Sequence, residues 1–176
     1  PMGFDTDVNG SLLGEVSFGS SKGIQNAIYI TIGTGVGGGV ISNGKLLHGM
    51  LHPELGHMFL VPHPEDSFAG HCPFHKNCFE GMAAGPAIEA RYGKKGIELV
   101  DRKEVWEIEA YYIGQALCNL IVTLSPERII LGGGVMHQEQ LFPLIRKEVA
   151  GQLNDYLKTK ELADLDHYIV PASLND

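Results

Sequence analysis

Between residues 52 and 80 the chain reads His52-Pro53-Glu54-Leu55-Gly56-His57 and then Cys72-x2-His75-x2-Cys78-x-Glu80, which gathers metal ligands and carboxylates in one segment. Thiolates and imidazoles at two-residue spacings can converge on one tetrahedral Zn2+, and Cys72, His75 and Cys78 with one upstream histidine complete four ligands. His57 is the expected fourth, with His52, His63 and His71 as competitors. His71 is the poorest of these, because it adjoins Cys72 and adjacent side chains diverge. Four protein ligands leave no open position, so such a metal is structural rather than catalytic. It also steadies the backbone that carries Glu54 and Glu80, and steadied carboxylates are good acceptors for hydroxyl groups.

The remaining composition narrows the class. With 176 residues and 44% hydrophobic content the chain can bury one good core, and no apolar run reaches the ~18 residues of a membrane helix. Neither a membrane contact nor a secretory leader is expected. Two of the three cysteines sit in the metal motif and Cys118 falls in a helical pattern as a small core residue, which argues against a disulfide framework; a cytoplasmic location is expected. The net charge of -8 gives no electrostatic footprint for nucleic acid, so any anion site must be local. The chain opens Pro1-Met2-Gly3-Phe4 directly into a polar stretch and stops at Asn175-Asp176, just past a strand-like stretch over 167–170. A fragment of a longer protein is expected.

Periodicity predicts one α/β domain without repeats or linkers. Residues 26–32 are β-rich, 33–39 form a glycine break, and Val40-Ile41 resumes a strand before the hairpin signal Asn43-Gly44. Residues 62–80 read as a loop around a metal, and 81–92 as a helix closed by glycines at 93–96. Apolar residues at Val105, Ile108, Tyr112, Ala116, Leu117, Leu120, Ile121 and Leu124 predict a long helix that stops at Ser125-Pro126. A short buried strand over 128–131, a turn at 132–134 and a second long helix over 140–157 follow.

Three further stretches carry chemistry. Residues 33–38 formally spell G-x-G-x-x-G, yet a β-like segment follows where a dinucleotide fold needs a helix, so that reading fails. A glycine hairpin can still cradle phosphate through backbone N–H groups, with Thr34 adding a hydroxyl, or be only a tight turn. Gly132-Gly133-Gly134 closes a strand before a helix, which is where an open α/β sheet places ligands, although such turns also close ordinary strands. Asp5-Thr6-Asp7-Val8-Asn9-Gly10 begins like a calcium loop, but Val16 occupies the position that needs a bidentate glutamate. What remains is a polar turn before a short helix ending near Glu15, whose aspartate either caps the helix or serves as a general base.

In order along the chain, Asp7-x-Asn9, Gly33-Thr34-Gly35, Glu54-x2-His57, the Cys72/His75/Cys78 cluster with Glu80, and Gly132-Gly133-Gly134 resemble the ROK family of sugar kinases, and among them the fructokinases, which share the Asp-Thr-Asp-Val-Asn wording and the Cys-Pro-x-His-x2-Cys loop. The resemblance implies an actin-like, ribonuclease-H-like lobe with an inserted zinc-binding loop at about 57–80, with residues 1–176 forming mostly the C-terminal lobe of a two-lobe kinase. It implies ATP-dependent phosphorylation of a hexose, fructose to fructose 6-phosphate, with Asp7 as base and with Glu54, His57 and Glu80 on sugar hydroxyls. Gly33, Thr34 and Gly35 resemble the second phosphate motif, and Gly132, Gly133, Gly134 and Pro86 the adenosine-binding elements. Structural Zn2+ on His57, Cys72, His75 and Cys78, Mg2+ arriving with ATP, and a homodimer complete the expectation. Thr6 stands where many family glucokinases have asparagine, which favours fructose, and His75 stands where many relatives have only cysteines. The family's N-terminal Asp-x-Gly-Gly-Thr hairpin has no counterpart in this sequence, so the segment alone is expected to be inactive. A glucokinase or other hexose kinase of the family, a sugar-sensing ROK-type transcriptional repressor and a zinc-braced interaction module are the alternatives.

Overall fold

The computed structural model describes residues 6–174; the chain start from Pro1 to Asp5 and the Asn175-Asp176 end, both read above from sequence, lie outside the described residues. Five strands, β1 (Ala27–Ile32), β2 (Val36–Ser42), β3 (Lys45–Leu46), β4 (Arg128–Gly132) and β5 (Ile169–Pro171), form one sheet in the order β3-β2-β1-β4-β5. β2 is antiparallel to β1 and β3, whereas β4 is parallel to β1 and β5 to β4, so β2 alone runs against the rest. This is the expected ribonuclease-H-like, actin-like arrangement.

The period of two along β1 divides the core into two layers. Ala27 and Tyr29 face the first helix, α1 (Asp7–Ser17), and pack with Leu12, Ile41 and Ile130. Ile28, Ile30 and Ile32 face the opposite layer, where α4 (Lys103–Leu124) and α5 (Leu141–Leu153) bury Trp106, Tyr112, Leu117, Ile145 and Val149. Cys118 packs at the edge of that layer and donates to the Val149 carbonyl at 3.7 Å, as a small core residue should.

Local chemistry sets the boundaries, and several differ from the sequence reading. Thr6 rather than an aspartate caps α1, its hydroxyl accepting from the Asn9 N–H at 3.2 Å, and the helix runs on to Ser17. The glycine break is confined to residues 33–35: Gly37, Gly38 and Gly39 pair with Thr31, Ile30 and Tyr29 inside β2. Asn43 and Gly44 take φ of 51° and 73°, the paired left-handed residues of a two-residue hairpin. The single helix expected over 81–92 is two, α2 (Phe79–Ala83) and α3 (Gly85–Tyr92), because Ala84 is extended at ψ 155° before Gly85-Pro86. α5 ends at Leu153, since Asn154 and Asp155 are left-handed. The strand expected from His167 begins only at Ile169, because α6 (Leu165–Tyr168) occupies the preceding turn, capped by Asp164.

Between β3 and α2 some thirty residues run with little regular structure, and a buried charge cluster ties them down. The Arg91 Nε lies 3.1 Å from Asp66 Oδ2, its guanidinium stacks 4.6 Å from the Phe68 ring centre, and Tyr112 Oη donates to Asp66 Oδ2 at 2.7 Å. Glu109 completes the cluster at 3.9 Å from Arg91 Nη1, wholly buried and without a hydrogen bond to its carboxyl. Burial pushes the Glu109 carboxyl up to about 8, against the opposing pull of Arg91. An acid held protonated in the fold but ionised in the unfolded chain stabilises fully below the usual carboxylate range, and that stability is lost as pH rises through about 8. Urea unfolding followed across this range should therefore show stability falling with rising pH, and Glu109→Gln should flatten the fall; an unchanged slope in the variant would place the titration elsewhere.

Candidate functional site

The parallel strands β1 and β4 end side by side, and both chains turn away through glycine, opening the crevice where α/β sheets bind ligands. Gly133 takes φ +88°, and a Cβ there would lie 2.6 Å from the Ile32 backbone, so only glycine lets the β4 tip pass the β1 tip. The Gly33 carbonyl accepts from the Gly85 N–H at 2.8 Å, which brings the start of α3 against the first turn. A cavity of about 560 Å³ results, walled by Gly33, Thr34, Pro86, Glu89, Lys95 and Gly134, with Trp106, His137 and Gln138 among its other residues. A second cavity, of about 750 Å³, holds Asp7 with Ser11, Tyr29, Thr31, Gly133 and His137. Gly33, Gly134 and His137 belong to both walls.

Asp7 occupies the first position of α1, exposed, with Oδ1 accepting from the Val8 N–H at 2.9 Å. The glycines of β2 let this helix approach the sheet. A Cβ on Gly37 would fall 2.9 Å from Val8 Cγ2 and one on Gly39 2.6 Å from Asn9 Oδ1, while on the other face a Cβ on Gly38 would meet Leu55 Cδ1 at 2.6 Å. β2 is thus sandwiched between the Asp7 helix and the turn that carries Glu54 and His57.

The metal motif closes as its spacing suggests. Backbone bonds from Leu60 N to the Asn77 carbonyl (3.1 Å) and from Phe79 N to the Met58 carbonyl (2.8 Å) lay residues 58–60 beside 77–79 and bring His57 to Cys78. The ligand atoms of His57, Cys72, His75 and Cys78 all lie within 4.8 Å of one another. Cys78 Sγ is 3.6 Å, and Cys72 Sγ 4.0 Å, from His57 Nδ1, and Cys72 Sγ is 3.9 Å from His75 Nδ1. A tetrahedral Zn2+ with its usual bond lengths sets sulfur and nitrogen ligands about 3.6 Å apart, so the cluster fits this ion and His57 takes the fourth place over His52, His63 and His71. Burial raises the Cys78 thiol to about 11; Cys72, against its own burial, is held below the usual thiol value by N–H groups of His75 and Phe74.

Since His57 presents Nδ1 to the cluster, its Nε2 points away from it. Glu54 is exposed and pairs with His52 Nε2 at 2.9 Å. Glu80 reaches the glycine turn, where Oε2 accepts from the Val36 N–H at 3.1 Å. Glu54, His57 and Glu80 stand outside the walls of the two cavities, along the β2 flank. Of the glycines singled out from sequence, Gly33, Gly133 and Gly134 line a cavity, whereas Gly35 and Gly132 do not: a Cβ on Gly35 would crowd Glu80, and one on Gly132 would crowd the Tyr29 hydroxyl. Sequence reasoning did not find His137, Lys95, Glu89 or Thr31, since no local pattern sets them apart.

Against known proteins, the model of the ROK family matches residues 1–176. A fructokinase from Pediococcus pentosaceus is 49% identical over 176 residues, covering 100% of this chain and 60% of the relative. The crystal structure of a ROK hexokinase from Thermus thermophilus superposes at a TM-score of 0.80 with 28% identity, covering 97% of this chain and 59% of that one. A ROK family glucokinase from Streptomyces griseus, in complex with glucose and AMPPNP, gives 0.75 and 25%, covering 98% and 64%. The chain spans about three-fifths of the length of the curated relatives it matches. With its ribonuclease-H-like sheet, its His/Cys cluster and a family match along its whole length, this chain belongs to the ROK family.

Proposed function

We propose that this chain is mostly the C-terminal lobe of a two-lobe, ATP-dependent hexose kinase that converts fructose to fructose 6-phosphate. One observation carries the reading: the cavity that holds Asp7 shares its wall at Gly33 and Gly134 with the cavity lined by Thr34 and Pro86. A nucleotide in the latter would direct its terminal phosphate at the former, as in-line transfer requires. Adenosine would lie along Pro86 and the β4 turn, and backbone N–H groups with the Thr34 hydroxyl would face the phosphates. Mg2+ enters with ATP, held by phosphate oxygens and water. The sugar hydroxyl gives its proton to the Asp7 carboxylate as its oxygen bonds to phosphorus and the bond to the departing ADP oxygen breaks.

Glu54, the Nε2 of His57 and Glu80 would bind the other hydroxyls, and their common seat on the β2 flank supports this. Fructose is favoured by the likeness to a fructokinase at 49% identity and by Thr6, whose hydroxyl is engaged in capping α1. Zn2+ at His57, Cys72, His75 and Cys78 would act as a brace for the loop carrying Glu80. Assembly as a homodimer in the cytoplasm belongs to the same reading.

Extensively dialysed protein should contain one zinc per chain by elemental analysis and lose it in the Cys72→Ser/Cys78→Ser double variant; less than half an equivalent in the parent would overturn the metal assignment. In the full-length protein, Asp7→Asn should lower kcat by at least ~100-fold while fructose affinity stays within about threefold, the signature of a lost general base. Near-normal turnover in that variant would exclude Asp7 from the chemistry. Glu54→Gln and Glu80→Gln keep shape but lose charge, and each should weaken fructose binding by roughly 10-fold or more with ATP affinity little changed. Parent-like calorimetric titrations with fructose in both variants would move the sugar site off the β2 flank.

A further inference from the structure

We propose that His137 binds the phosphoryl group in flight, donating a ring N–H to one of its non-bridging oxygens as it passes from ATP to the sugar. The proposal rests on the kinase reading above and adds a residue to it. The transferring group must lie where the nucleotide cavity meets the cavity of Asp7, and three residues wall both: Gly33, Gly134 and His137. Two of these offer backbone alone, so among the described residues His137 supplies the one shared side chain.

Its position follows from the β4 tip. After Gly133 the chain makes a single 3-10 turn over Gly134–His137, closed by Met136 N on the Gly133 carbonyl at 2.9 Å and Gln138 N on the Val135 carbonyl at 3.2 Å. Val135 and Met136 are buried by that turn and anchor it in the core, which leaves His137 as its exposed end beside both cavities. A short anchored turn holds a side chain far more closely than a free loop does.

Charge makes the position useful. The chain carries -8 net, and among the described residues neither lysine nor arginine walls the Asp7 cavity. Lys95 stands in the nucleotide cavity only. Phosphoryl transfer spreads negative charge over the non-bridging oxygens while Asp7 brings a second carboxylate close, so an N–H donor on the shared wall stabilises the transition state more than the separated reactants. No proton is consumed: the sugar O–H proton goes to Asp7, the new O–P bond replaces the bond to the ADP oxygen, and His137 keeps its hydrogen throughout.

The test compares His137→Ala and His137→Gln with the parent in the full-length protein. Loss of one such donor should lower kcat roughly 10- to 100-fold in His137→Ala with KM for fructose nearly unchanged, and His137→Gln, which restores an N–H, should recover part of the loss. Binding separates this role from a structural one: ATP affinity should fall relative to ADP affinity, because only ATP has the phosphate that His137 touches. Parent-like kcat in His137→Ala, or equal weakening of ATP and ADP, overturns the proposal while leaving the kinase reading intact. A parent protein that phosphorylates no hexose overturns the kinase reading, and this proposal with it.

Discussion

β2 is the strand on which the rest of the site depends, because it is thin. Its glycines give it almost no side-chain thickness on either face, so α1 can settle on one side and Leu55 on the other at distances a single added methyl would disrupt. Glycine in a strand interior is ordinarily destabilising by roughly 0.5–1 kcal/mol relative to alanine. Here the ladder to β1 is complete across all three positions, and the lost propensity is offset by the contacts of Val8, Asn9 and Leu55. The strand therefore holds the start of α1 and the Glu54–His57 turn on its two faces, separated by little more than its own backbone.

The segment between β3 and α2 has a different problem, since ordering a residue costs roughly 1–2 kcal/mol in backbone entropy alone and this segment makes few apolar contacts. Two clusters meet the need. Arg91, Asp66, Phe68 and Tyr112 pin its middle onto α3 and α4, and the four ligand residues draw His57 together with the stretch from Cys72 to Cys78. The first uses helices already held by the core; the second depends on its own donors and on whatever ion they hold. Glu109 shows the cost of the first arrangement: a wholly buried carboxyl with no hydrogen bond, which burial keeps protonated against the pull of Arg91.

Much of this was legible in the sequence, where short-range chemistry decided the outcome. Asn43-Gly44, the long α4 with its stop at Ser125, and the cysteine and histidine spacings each encode their geometry within a few residues. The glycine run misled, because glycine signals a turn when read locally, while here it answers neighbours from residues 8–9 and 55, far away in sequence. The break between α2 and α3 was hidden for a similar reason: Gly85-Pro86 reads as a tolerable helix start or interior, and it is the long-range bond from Gly85 N to the Gly33 carbonyl that ends one helix and begins another. His137 was invisible because its significance lies in two cavities meeting, which no sequence window contains.

The acidic balance of the chain bears on how the proposed nucleotide site must work. A polyphosphate is strongly anionic, and a surface that carries -8 net offers it no long-range attraction. Affinity then has to come from short-range groups arranged in advance: backbone N–H groups at the two strand tips, a hydroxyl at Thr34, Lys95 on the cavity wall, and a cation brought by the nucleotide itself. Such donors act only within hydrogen-bond distance, so their value depends on backbone placement to a fraction of an ångström. The close approach of Gly133 to Ile32 and the bond tying Gly85 to Gly33 supply that placement from the sheet and from α3, with Ile32 buried behind the half-buried glycines. A site built this way gains specificity for phosphate position rather than for charge, which is the property an in-line transfer needs.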